Sequence, residues 1–139
     1  DPFKDPKIID KIIRHYFSDS SFDYVSNTIK PTFPLGMDVE VFSFKALEIA
    51  YKNATSEYDK EHVTPYIYNG NNNFKISNFR HEKQLSHLRW TIDKKNDLLM
   101  AREVYRKLYN QNKIFYMEDI LQLLETYPNI ANINSNYNT

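Results

Sequence analysis

Apolar positions recur at helical spacing from Ile8 onward, with Ile8, Ile9, Ile12, Ile13 and Tyr16 on one face. Asp5-Pro6 stands just before them. An aspartate can accept the free N–H groups of a first turn, and proline at the first helical position gives up no needed donor. The spacing predicts a helix from Pro6 to near Ser18. The period then changes. "FDYVSNTI" (22–29) predicts a short strand, Pro31 and Pro34 a loop, and "DVEVF" (38–42) a second strand. Ser43 is the expected cap of a helix over 44–53, with Ala46, Leu47, Ala50 and Tyr51 on its apolar face. "SEYDKEHVTPYIYNGNNN" begins helix-like, but Pro65 bends or interrupts it, and Asn69-Gly70 signals a turn. "FKISNF" (74–79) and "LRWTI" (88–92) predict two more strands. Asp93 is expected to open a helix with Leu98, Ala101, Val104, Tyr105 and Leu108 inward. A last helix over 117–126 buries Ile120, Leu121 and Leu124, and the polar stretch 132–139 is expected to fray.

Strands alternating with helices indicate α/β layering. A parallel sheet needs cover on both faces, and three or four strands behind a leading helix supply only half of one. The 139 residues, 41% hydrophobic and 26% charged, match one globular domain. Eighteen basic and eighteen acidic side chains cancel, which argues against a nucleic-acid partner but leaves room for a local anionic pocket. Cysteine is absent, so there is no disulfide framework. No apolar run approaches the ~20 residues of a membrane span, and no signal peptide is visible. A cytoplasmic location is the expectation. The chain opens at Asp1 rather than methionine and reads as a piece of something longer.

Candidate chemistry is sparse. "HEKQLSH" looks like a zinc-binding helix, but His81 and His87 are six residues apart, about 240° around a helix, and cannot share a metal as an i, i+4 pair does. Two glycines are too few for a phosphate loop or a dinucleotide fingerprint. Asp93 ends a strand and begins a helix. It can be an N-cap, a metal or phosphate-site residue, or both, since ligands gather at the carboxyl ends of strands in open α/β sheets. Alternation puts Asp38 and Glu40 on one strand face, opposite Val39 and Val41. That face is either solvated or a sugar contact, since ionised carboxylates are pure acceptors for hydroxyls. Gly36, just before them, would let the backbone approach a ligand.

The blocks "PLGMDVEVFSFKALEIAYKNA", "EHVTPYIY", "FRHEKQLSHLRWTIDKKNDL" and "ILQLLETYPNIANIN" resemble, in order, the C-terminal half of the cytidylyltransferase family of the spore-coat polysaccharide type, which is related to acylneuraminate and 3-deoxy-manno-octulosonate cytidylyltransferases. The resemblance implies a nucleotide-diphospho-sugar transferase fold with a mixed, mostly parallel sheet, of which 1–139 is one partial domain. It implies coupling of a nucleoside triphosphate, CTP, to a sugar or sugar acid with release of pyrophosphate and help from Mg²⁺. It implies Asp93 as a metal ligand, Asp38 and Glu40 as the sugar-side pair, and Arg89 and His62 as further substrate contacts. For Arg89 and His62 a structural hydrogen bond or ion pair is the competing reading. The family's basic glycine loop has no counterpart here, and its catalytic aspartate would stand just before Asp1, or be Asp1 if the alignment shifts by one. This piece alone is expected to be inactive, and a homodimer is the expected assembly. The alternative is a non-catalytic α/β interaction domain.

Overall fold

The computed structural model describes residues 1–69 and 73–135. Contacts group them into two compact units: 1–9, 31–38 and 81 onward form the first, and 10–30 with 39–80 the second. Helix α1 (Pro6–Phe17) begins where Asp5-Pro6 predicts, with the N–H of Lys7 donating to Asp5 Oδ1 at 2.8 Å. Ile8 and Ile12 are buried, and Ile9, Ile13 and Tyr16 half-buried, as the periodicity requires. Asp5 also accepts, through Oδ2, the N–H of Met117 at 2.9 Å. One buried carboxylate thus serves two helix N-termini, which carry partial positive charge.

The second unit holds a mixed three-stranded sheet in the order β2-β1-β3. The central strand β1 (Tyr24–Ser26) is wholly buried. It pairs antiparallel with β2 (Glu40–Phe42), Val25 opposite Val41, and parallel with β3 (Ile76–Asn78), Val25 opposite Ser77. Each strand is shorter than its apolar run. Asn27 ends the ladder on one side, where its own Oδ1 takes the N–H of Val39 at 2.8 Å. Helix α2 (Phe44–Asn53) is capped by Ser43, whose side chain accepts the N–H of Ala46 at 3.0 Å. Its buried residues are Ala46 and Ala50, and these pack with Tyr24 and Ile67 in the core of this unit. Tyr51, expected on the apolar face, is 86% exposed. Pro65 does interrupt the next helix: α3 (Glu57–His62) and α4 (Pro65–Tyr68) are separated by Val63, held at φ 65°. The Asn69-Gly70 turn signal falls partly on Gly70, outside the described residues.

The first unit is built on α5 (Lys95–Leu108), α6 (Met117–Thr126) and α7 (Pro128–Asn132), which pack on one another. Its core includes Phe3, Trp90, Met100, Val104, Met117 and Ile120. Phe3 meets Trp90 edge-on at 6.0 Å and stacks with Tyr105 at 5.7 Å, geometries that aromatic pairs favour. Three expectations are corrected here. "LRWTI" is not a strand; Arg89 alone bridges Leu35 in parallel, because the partner segment offers one residue between Pro34 and Gly36. The inner face of α5 is Asp97, Met100, Ala101 and Val104, not the stripe through Leu98 and Tyr105, both partly exposed. The tail does not fray at once, since Asn134 is buried; residues 136–139 lie outside the description.

Candidate functional site

The turn at residues 34–37 starts the site. Met37 N–H donates to the Pro34 carbonyl at 3.0 Å, and Gly36 adopts φ 100°, a conformation natural to glycine. The expected close approach at Gly36 is to the chain itself. A Cβ there would stand 2.8 Å from Thr91 N and from the Trp90 carbonyl carbon. The Leu35 amide donates to Leu88 O at 2.9 Å and its carbonyl accepts from Trp90 N at 2.7 Å. Glycine thus lets residues 88–91 lie flat against 35–37, which aims the next residues, Ile92 to Lys94, into the start of α5.

Arg89, Asp93 and Asp97 follow at intervals of four and meet. Arg89 Nη2 donates to Asp93 Oδ2 at 2.8 Å and to Asp97 Oδ2 at 3.0 Å, while its Nε donates to Asp97 Oδ1 at 2.9 Å. The Asp97 side chain is fully buried, that of Arg89 is 10% exposed, and that of Asp93 is 63% exposed. Asp97 Oδ2 also accepts the N–H groups of Asp93 at 3.1 Å and Lys94 at 3.0 Å. Asn134 Nδ2 donates to Asp97 Oδ1 and to the Arg89 carbonyl, each at 2.9 Å. Burial alone would raise the Asp97 pKa. The hydrogen bonds from Arg89, Asn134 and the two amides outweigh it and hold the carboxyl below the usual carboxylate range. Asp97, chiefly through its hydrogen bond, and then Asp93 raise the Arg89 pKa.

These contacts revise one reading of the sequence and match a second. Asp93 is not the cap of α5. Lys94 occupies that position, and the carboxylate serving the first turn is Asp97, three residues on. Asp93 points its charge elsewhere: to Arg89, to the Thr91 hydroxyl at 3.3 Å, and to solvent. Arg89 takes the ion-pair role, with two of its three nitrogens committed to carboxylates. One cation and two anions leave a net charge of about −1. With Asp97 buried against Arg89, that charge is presented at Asp93.

The remaining predicted residues do not join this group. Asp38 precedes β2 and belongs to the first unit, where its carbonyl accepts from Lys4 Nζ. Glu40 opens β2 in the second unit, is exposed, and accepts a hydrogen bond from the buried Tyr24 hydroxyl. The expectation of both carboxylates on one strand face therefore holds only for Glu40. Burial, and then the bond to Glu40, pushes the Tyr24 pKa up, so the hydroxyl remains a donor. His62 sits in the last turn of α3, exposed, its ring 4.5 Å from that of Tyr58. Sequence reasoning missed Asp97, Asn134 and Tyr24. The Arg89–Asp93–Asp97 spacing was the one available signal.

Mg²⁺ can be weighed against this geometry. Among the described residues no group of three or more His, Asp or Glu side chains is placed to hold a metal. A dedicated cage is therefore not built from them. Mg²⁺ is commonly held by one or two carboxylates plus substrate phosphates and water, and Asp93, exposed and with charge to offer, fits as one such ligand.

Known proteins place the chain. The family described as cytidylyltransferase matches residues 1–126. An uncharacterized protein of Methanocaldococcus jannaschii is 38% identical over 97% of this chain and 54% of its own length. The spore coat polysaccharide biosynthesis protein SpsF of Bacillus subtilis is 28% identical over 94% of this chain and 53% of its own. The solved structure of a cytidylyltransferase from Leptospira borgpetersenii superposes with a TM-score of 0.85 at 25% identity, over 92% of this chain and 53% of that one. The chain thus spans about half the length of the relatives it matches. The family match over residues 1–126, together with a mixed α/β architecture shared with that solved structure, shows that the chain belongs to the cytidylyltransferase family and has a nucleotide-diphospho-sugar transferase-like fold.

Proposed function

We propose that this chain is the C-terminal, sugar-side half of an enzyme that couples CTP to a sugar or sugar acid for surface polysaccharide biosynthesis. In that reaction a sugar oxygen attacks the α-phosphorus, the bond to the β-phosphate breaks, and pyrophosphate leaves. The observation that carries the reading is the negative charge presented at Asp93 by a buried Arg89–Asp97 pair. Family membership and the polysaccharide role in the name of the Bacillus subtilis relative support it. Asp93 is the cation ligand of this half, and Mg²⁺ when bound supplies charge neutralisation for the triphosphate and its leaving group. Arg89 pairs with Asp97 and Asp93 rather than with substrate. Asp38 and Glu40 accept hydrogen bonds from sugar hydroxyls. His62, exposed at the end of α3, is a further substrate contact. The catalytic aspartate is Asp1 or lies before it. The assembly is a cytoplasmic homodimer, and this chain by itself does not turn over.

The test is pyrophosphate release by the full-length protein with CTP, Mg²⁺ and a panel of sugars and sugar acids. Asp38→Asn and Glu40→Gln should then lower kcat/KM for the sugar by roughly 10- to 150-fold, since a hydrogen bond to a charged group contributes about 1.5–3 kcal/mol. The KM for CTP should hardly change. Equal losses toward both substrates would remove the sugar assignment, and no pyrophosphate release with any panel member would remove the reaction.

A further inference from the structure

Asp97 does more than a helix needs. A first turn is served by one acceptor for one or two N–H groups. Asp97 provides that and takes three further hydrogen bonds, two from Arg89 and one from Asn134, while fully buried. Its Oδ2 holds the backbone N–H of Asp93 itself. Arg89 Nη2 is shared between the two carboxylates, at 3.0 Å from Asp97 and 2.8 Å from Asp93. Asn134, which follows α7, closes the arrangement by holding both the Arg89 carbonyl and Asp97.

The electrostatic consequence is specific. Paired with Asp97, the guanidinium has a buried partner and the exposed Asp93 carboxylate keeps charge to offer. Without the Asp97 carboxylate, Asp93 would be the one carboxylate left on Arg89, and a cation would have to compete with the guanidinium for it. We infer that Asp97, braced by Asn134, is a positioning residue of the transfer site: it neutralises Arg89 and fixes the Asp93 main chain, so that the Asp93 carboxylate is free to take a divalent cation. This inference rests on the reading of Asp93 as a cation ligand.

The test is Mn²⁺ binding to the full-length protein, read by electron paramagnetic resonance with and without CTP, on variants whose folding is checked by thermal melting. Asp97→Asn should weaken Mn²⁺ binding by about 10- to 100-fold, the usual cost of losing a group that orients a metal ligand. Adding Arg89→Met to Asp97→Asn should recover most of that loss, because the competing guanidinium is gone. A merely structural Asp97 predicts the opposite, a double variant no better than the single. Asn134→Ala, which keeps the charge and loses only the brace, should weaken binding severalfold and serves if Asp97→Asn does not fold. Wild-type Mn²⁺ affinity in folded Asp97→Asn or folded Asn134→Ala, or a double variant as weak as the single, overturns the inference. Asp93→Asn separates the two layers. If it loses Mn²⁺ while Asp97→Asn does not, only the positioning role fails; if it binds Mn²⁺ like the wild type, the cation-ligand reading falls and takes the positioning role with it.

Discussion

At the scale of single residues, the candidate site rests on a glycine and a buried carboxylate that act on the chain itself. Gly36 has a positive φ and no room for a side chain, and the atoms it would strike are backbone atoms of Trp90 and Thr91, which cannot rotate away. Gly36→Ala should therefore destabilise the protein by more than about 1 kcal/mol, the regime of alanine at a positive φ. In the full-length protein it should also lower the proposed transfer activity of the fraction that stays folded, because Trp90 and Thr91 lead directly to Asp93. Thermal melts and active-site-normalised turnover check both parts; an alanine variant of wild-type stability would show that the turn relaxes at little cost. The sequence marked Gly36 as a place where the backbone would approach a ligand; what approaches in the structure is the backbone of Trp90 and Thr91.

At the scale of elements, the boundaries that rest on local chemistry were legible. Ser43 capping α2, Asp5-Pro6 opening α1 and Pro65 dividing α3 from α4 follow from local chemistry within a few residues, and the α6 span from its apolar spacing. What failed depended on distant partners. Asp97 lies on the buried face of α5, where hydrophobic periodicity would never place a charge, because its burial is compensated by Arg89 eight residues before and Asn134 thirty-seven after. The run at 88–92 has the composition of a strand, yet its neighbour supplies only Leu35. In the sheet, Tyr24 on β1 reaches across to Glu40 on β2, a cross-strand pair that periodicity does not reveal. Because folding raises the Tyr24 pKa above its unfolded value, the stability this hydroxyl contributes is complete below about pH 10 and declines as pH rises past it toward the folded value. Tyr24→Phe should thus be less stable than the wild type at pH 8, and the gap should narrow above about pH 10. Paired melts from pH 8 to 11 measure this; a gap that stays constant would mean that Tyr24 titrates no differently folded and unfolded.

At the scale of the molecule, Asp93 with its bracing lies in one compact unit and Glu40 with Tyr24 in the other. The family could be read from whole blocks of sequence, while the internal support of the site became visible only with coordinates. The central claim is that Asp93 is a cation ligand of a nucleotidyl transfer site rather than part of the scaffold. Asp93 caps no helix and is largely exposed, so Asp93→Asn should change stability by no more than about 0.5 kcal/mol. Asparagine keeps the shape and loses the charge that a hard cation requires. The decisive measurement is pyrophosphate release by full-length Asp93→Asn at saturating CTP, sugar substrate and Mg²⁺, beside a melt that verifies folding. If Asp93 holds the cation, the variant folds and its turnover is lost; a folded protein with near-wild-type turnover would contradict that role.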